Sequence, residues 1–225
     1  MDEDKALYEE MQRIKTILLK KEIPDKYPEN MSRIKLQSFK NTFHIDRFDF
    51  INLSSFALVS KRWVRPLAEY IGLKKCLEIM AGKGVLSKCL RDYGVDIIAT
   101  DNYTWKWHRN SQNKNGKKLD HEELWFDVRD LDCVESIIKF GDKADYIICC
   151  WPPFRTSALY ESLIKMREVN PECRLIYIGE GKKGCNAESR FFDEALYIKD
   201  DRGFNNAANL FQRWPQMDDK INLIK

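Results

Sequence analysis

The chain has 225 residues, enough for one well-filled α/β domain with an appendage, and its net charge of +3 gives it no long-range positive field of the kind a dedicated nucleic-acid binder uses. It holds no apolar run of roughly 18 residues and no apolar stretch behind basic residues at its start, so neither a membrane span nor a signal peptide is expected. The seven cysteines, an odd number, fall mostly in apolar runs and on helix faces, as reduced thiols of a cytoplasmic protein do. With no Cys-x-x-Cys, and with His44, His108 and His121 far from any cysteine pair, no metal site is expected.

From Asp4 to Lys21 the apolar positions Leu7, Met11, Ile14, Leu18 and Leu19 recur at three- and four-residue spacing, which predicts one amphipathic helix ended by Pro24 and Pro28. Its narrow stripe must bury against something, and packing on its own chain is the simplest outcome. Residues 1–54 read as an N-terminal helical extension and 55–225 as the main domain. A second helical region, Asn52 to Leu73, places Phe56, Val59, Trp63, Leu67 and Tyr70 on one face, with Pro66 opening a new helix or kinking the old one.

The stretch Cys76 to Asp101 then reads as strand, glycine turn, helix, strand. The first apolar piece ends at Glu78. Gly82 and Gly84 supply a turn where backbone can approach a ligand. Val85, Leu86, Cys89, Leu90 and Tyr93 share a helix face, and Gly94 suits a left-handed helix end. The run Val95 to Ala99 delivers Asp101. In a right-handed βαβ unit the two strand tips lie side by side, so Glu78, the turn and Asp101 surround one crevice, and an acid at the second tip suits ribose hydroxyls. A dinucleotide cradle would carry a third glycine where Ser87 stands.

Between Asn102 and Glu123 lies a long polar insertion in which Lys106, Arg109, Lys114, Lys117 and Lys118 interleave with Trp105 and Trp107. Two readings stay open for it, phosphate contact with base stacking or simple solvation. A short third strand, Leu124-Trp-Phe, ends at Asp127-Val128, and Asp127 is also placed to cap a helix from Leu131 to Phe140. The continuous apolar run Asp145 to Cys150 reads as a central parallel strand and ends in Trp151-Pro152-Pro153-Phe154, a stiff extended segment. A helix from Thr156 to Val169 and a fifth strand, Arg174 to Ile178, follow. Next come three glycines around Glu180, a candidate substrate-facing acid, base or ammonium anchor. Leu210 to Trp214 and Ile221 to Ile224 read as a terminal β-hairpin pair.

Acid-x-x-x-Gly-x-Gly at Glu78 to Gly84, with Asp101 at the next strand tip, resembles the first motifs of the class I S-adenosylmethionine-dependent methyltransferases. Met80 stands where that family has its first glycine. Cys-Trp-Pro-Pro-Phe at 150 to 154, Tyr-Ile-Gly-Glu-Gly at 177 to 181 and Trp-Pro-x-x-Asp at 214 to 218 are similar to uncharacterised members with a Trp-Pro-Pro-aromatic motif. The resemblance implies a Rossmann-like α/β fold with a mostly parallel seven-stranded sheet and helices on both faces. It implies S-adenosylmethionine as cofactor. Glu78, Met80, Ala81, Gly82 and Gly84 would hold its methionine end and the turn. Asp101 and Asn102 would take the ribose, Asp127 and Val128 the adenine, and Ser60 and Trp63 would close over the methionine end.

Cys150, Trp151 and Pro152 would line the transfer cavity, with Trp151 and Glu180 as catalytic candidates and Pro153, Phe154 and Glu180 meeting the substrate. Members that act on amino groups carry Asp, Asn or Ser where Trp151 stands, and indole cannot accept a hydrogen bond. The methyl acceptor is therefore open: a small molecule or a protein, or a nucleic acid engaged through residues 105–118. A non-catalytic binding or scaffold protein of the same fold is the alternative, and no membrane partner is expected.

Overall fold

The apolar runs after Lys74, Val95, Ala144 and Cys173 pair as parallel strands in a computed structural model that describes residues 2–31, 45–104 and 123–225. The basic segment 105–118 and all three histidines lie outside the described residues. The strands are β1 (Lys75–Glu78), β2 (Asp96–Asp101), β3 (Val128–Asp130), β4 (Tyr146–Cys150), β5 (Arg174–Gly179) and β6 (Lys220–Ile224). They form one sheet in the order β3-β2-β1-β4-β5-β6, with β6 antiparallel to β5 and every other pair parallel. The order reverses between β1 and β4, where a doubly wound sheet opens a crevice at its strands' carboxyl ends.

Eight α-helices are described: α1 (Asp2–Leu19), α2 (Arg47–Leu53), α3 (Lys61–Ile71), α4 (Val85–Asp92), α5 (Cys133–Phe140), α6 (Ala158–Val169), α7 (Ser189–Glu194) and α8 (Arg202–Ala208). The strands read as unbroken apolar runs because both faces are covered. Ile148, Ile176 and Ile178 join Met11 of α1, Trp63 of α3, Leu86 of α4 and Phe204 of α8 in one hydrophobic cluster. Ile147, Cys149, Leu175 and Tyr177 join Ile137 of α5, Leu163 of α6 and Phe191 of α7 in the other. The predicted N-terminal stripe is buried on the first of these at Leu7, Met11, Ile14 and Leu18, whereas Leu19 turns outward at 62% exposure.

Four expectations change. The sheet has six strands among the described residues, not seven; the outer edge of β6 is covered by residues 196–198, whose Ile198 N–H reaches Leu223 O at 2.8 Å beside an isolated Tyr197–Ile224 bridge. No strand forms at 210–214, because the N–H groups of Leu210 and Phe211 close the end of α8 on the carbonyls of Ala207 and Ala208. The third strand begins at Val128 rather than Leu124, since Trp125 spends its backbone N–H on Lys83 O and its indole N–H on Leu53 O. The helical region at 52–73 divides at Ser54, whose hydroxyl and N–H both return to Phe50 O, so Phe56 and Val59 sit in the connection before α3.

Among the described residues no helix is long and apolar enough to cross a membrane. All seven cysteines are free.

Candidate functional site

Glu78 ends β1 beneath the glycine turn. It is 2% exposed and its carboxylate accepts the Ser87 hydroxyl from the first turns of α4. Burial pushes its carboxyl up to about 7, opposed by the Ser87 hydrogen bonds and reinforced by the Asp101 charge. Above it Met80 (φ +53°), Gly82 (φ +56°) and Gly84 (φ +74°) are all left-handed. A methionine thus holds at 80 the conformation that glycine would give without strain. Gly84 is obligatory for a second reason: a Cβ there would stand 2.7 Å from Val128 Cγ2 and 2.8 Å from Phe126 Cβ. Gly82, by contrast, has nothing among the described residues within 4 Å of that position, so its backbone borders open space.

Asp101 ends β2 and is buried. One oxygen accepts Gly82 N–H at 2.7 Å and the other Tyr103 N–H at 2.6 Å, so this acid ties the turn to the neighbouring strand tip. Ala81 N–H adds a bond to Thr100 O at 3.0 Å. Asn102 donates to Asp132 Oδ2 at 3.1 Å, and Asp132 caps α5 by accepting Val134 N–H. The cap that Asp127 was expected to provide is therefore Asp132's. Asp127 is exposed and precedes β3, whereas the acid at the carboxyl tip of β3 is Asp130, in register with Asp101. Tyr103, also left-handed at φ +54°, donates its hydroxyl to Val128 O at 3.2 Å. Burial first, then the charges of Asp101, Asp130 and Asp127, push that hydroxyl up to about 12.

At the tip of β4, Trp151 takes φ +58°, donates its N–H to Ile178 O at 2.8 Å and its indole N–H to Asp219 Oδ2 at 2.9 Å. Phe56 stacks on the indole at 5.5 Å with rings 15° apart, and the Arg47 guanidinium lies 5.2 Å from its centroid. The ring expected to line the transfer cavity thus has an aromatic ring and a cation against it. Glu180, at the tip of β5, is buried. It accepts Cys185 N–H at 2.8 Å on one oxygen and Asp218 N–H at 3.2 Å on the other. Asn186 locks the same corner, receiving Glu180 N–H at 2.7 Å and donating to Pro152 O at 3.3 Å. Glu180 thus organises the loop that the flanking glycines allow.

The structure brings Glu78, the 80–84 turn, Asp101 and Asn102 to one end of the sheet, with Cys150, Trp151, Pro152 and Glu180 at the adjoining strand tips. Ser60 and Trp63 belong to the core instead. Ser60 donates to Gln212 Oε1 at 3.4 Å, and the wholly buried Trp63 donates to Leu58 O at 2.9 Å and packs edge-on against Phe211. Phe154 is exposed, and Pro153 is half-buried; Arg155 lies 4.8 Å from the Phe154 ring centre. Sequence reasoning missed Arg47, Phe56 and Asp219 at Trp151, and Asn186 at Pro152. Only Asp219 carried a signal, as one of the paired aspartates after Trp214-Pro215.

No protein-family profile and no curated protein matches the chain by sequence. Among solved structures, the crystal structure of TehB from Haemophilus influenzae is similar at 14% sequence identity and a TM-score of 0.43, over 72% of this chain. The chain spans 60% of the length of that structure.

Proposed function

We propose that this chain is an S-adenosylmethionine-dependent methyltransferase, with residues 55–225 as its cofactor-binding part. One observation carries the reading: at the switch point of a parallel sheet, a turn left-handed at 80, 82 and 84 is tied by its backbone to an acid, Asp101, at the neighbouring strand tip. A cofactor with a ribose and no phosphate suits these residues. The open space beside Gly82 gives it backbone to approach, and a carboxylate receives ribose hydroxyls.

When bound, S-adenosylmethionine supplies a sulfonium methyl group for in-line transfer. The chain's own residues position and exclude water. Glu78 and Ser87 hold α4 under the turn, while Asp101 fixes the turn's height against β2. Pro152 and Pro153 stiffen the segment after β4, and Asn186 pins the first of them through its carbonyl. Such fixed geometry is the kind that lowers a displacement barrier by orientation. Asp127 lies too early in the chain to sit at the β3 tip, so the adenine contact passes in this reading to the Asp130 end of that strand.

Calorimetric titration with S-adenosylmethionine and S-adenosylhomocysteine tests the proposal. Micromolar binding, about 8 kcal/mol, that weakens in Asp101→Ala supports it. A folded protein that binds neither compound, or that binds NAD in their place, overturns it.

A further inference from the structure

Beyond the tips of β4 and β5 the surface holds a cavity of about 420 Å³, within the range of small-molecule sites, roughly 300–1,000 Å³. Two loops form it. In the first, Arg155 donates its N–H to Ala187 O at 3.0 Å and Phe154 bridges Ala187, which ties residues 154–155 to the segment before α7. Arg155 (φ +56°) and Ala187 (φ +51°) are both left-handed, a conformation that non-glycine residues keep chiefly where function or packing requires it. Asn186, 2% exposed, joins the same floor by donating to Pro152 O at 3.3 Å. In the second loop, Gly184 N–H closes a turn on Gly181 O at 2.8 Å, and Glu180 receives Cys185 N–H. Lys182 and Lys183 are the central residues of that turn, and both are exposed. The cavity is therefore lined by cations and a ring. Phe154 is 49% exposed, and the Arg155 guanidinium carbon lies 4.8 Å from its ring centre. Lys182 pairs with Asp193, outside the lining, whereas Arg155 and Lys183 have no carboxylate within ion-pair distance among the described residues. The one acid in the lining is Glu188, whose Oε1 is buried away from solvent.

We propose that this cavity binds a small aromatic anion, a planar ring carrying a carboxylate or a phosphate group. The ring lies against Phe154, and the anionic group meets Arg155 and Lys183. Either kind of group accepts hydrogen bonds from a guanidinium fork. An ammonium ligand would face the charges of Arg155, Lys182 and Lys183, and a neutral ring would gain nothing from them. An anion without a ring would leave Phe154 unused. Backbone hydrogen bonds fix the floor, while the cations sit on long exposed side chains, so the ring site is preformed and the charges adapt to the anion. The volume suits one such molecule rather than a stretch of polymer. That this anion is the methyl acceptor rests on the transferase reading; its binding does not.

The test is a nuclear magnetic resonance titration of the full chain that follows the backbone N–H signals of Lys183, Gly184 and Ala187. The probes are benzoate and phenyl phosphate, with benzamide, benzylamine and acetate as controls. At least one aromatic anion should shift these signals saturably, and the tighter of the two identifies the anionic group. The controls should bind on the order of tenfold more weakly or not at all. Arg155→Asn removes one charge with a residue that tolerates the left-handed conformation, and Lys183→Gln removes the other; each should weaken the anion by about threefold to fivefold. Phe154→Leu should weaken both aromatic anions similarly and leave acetate unchanged. Should Arg155→Asn disturb its loop, Lys183→Gln, at an exposed turn position, carries the test. Absence of a saturable shift with either anion overturns the inference, as do equal binding of benzamide or acetate and unchanged binding in all three variants. Saturable binding of a single-stranded oligonucleotide alone would mean a nucleic-acid surface and overturns it too. S-adenosylhomocysteine binding without binding of either aromatic anion overturns this inference and leaves the transferase reading standing. Binding of either anion without S-adenosylhomocysteine binding supports the inference and removes that reading.

Discussion

Asp101 accepts the Gly82 N–H at 2.7 Å, so the acid at the tip of β2 and the turn after β1 are one unit rather than two neighbouring features. Its acceptor is a buried carboxylate, which places the bond among the stronger hydrogen bonds of a fold. Asp101→Ala should therefore lower stability by about 1–3 kcal/mol, read from urea denaturation, as two backbone donors lose their partner. It should also weaken S-adenosylhomocysteine binding. A stability loss with unchanged affinity would confine Asp101 to a structural role.

Met80 adopts φ +53° at the position where a glycine would be unstrained. Met80→Gly and Met80→Ala both remove the side chain that packs on the second hydrophobic cluster, so their difference isolates the backbone. The glycine variant should be the more stable of the two by about 1 kcal/mol. Equal melting and denaturation midpoints would mean that the left-handed conformation carries no strain.

The two glycines that flank α4 should respond unequally to alanine. At Gly84 the new Cβ meets Val128 and Phe126 below 3 Å, and φ is +74°, so Gly84→Ala should lose on the order of 2–4 kcal/mol. At Gly94, with φ +86° and nothing nearby among the described residues, the loss should be only the conformational cost of about 1 kcal/mol. Paired denaturation curves decide this, and a Gly94 variant as damaged as the Gly84 one would contradict the packing argument.

Glu78 gives stability a pH dependence of definite sign. Its carboxyl titrates near 7 when folded, chiefly through burial, against an ordinary 4.5. Between these values the unfolded chain has released a proton that the folded chain keeps, so this group's contribution falls as pH rises through the window and levels off above it. Glu78→Gln keeps an acceptor for Ser87 but does not titrate. Its stability relative to the parent should rise by on the order of 3 kcal/mol from about pH 4.5 to about pH 8. A constant difference across that range would show that Glu78 ionises normally.

What the sequence determined by itself is what neighbouring residues settle. Apolar runs with acids, glycines or prolines at their ends predicted β1, β2, β4 and β5 within a residue or so, because a parallel strand covered on both faces needs an unbroken apolar stretch. The spacing of Leu7, Met11, Ile14 and Leu18 predicted the buried side of α1, Gly82 and Gly84 predicted a turn, and Gly94 predicted a left-handed helix end. Each of these follows from the steric and hydrophobic character of a few adjacent side chains.

Only the tertiary structure decided which distant groups meet. Trp151 lies 68 positions from Asp219, and Ser60 lies 152 from Gln212, so no local pattern distinguishes the tryptophan at the site from the core role of the serine. Trp125 kept residues 124–126 out of the third strand by bonding to Lys83 and Leu53. Residues 196–198 took the edge where a further strand was expected. Hydrogen bonds are satisfied by whichever partner the packed chain presents, and that choice depends on sheet order and register, which periodicity does not encode.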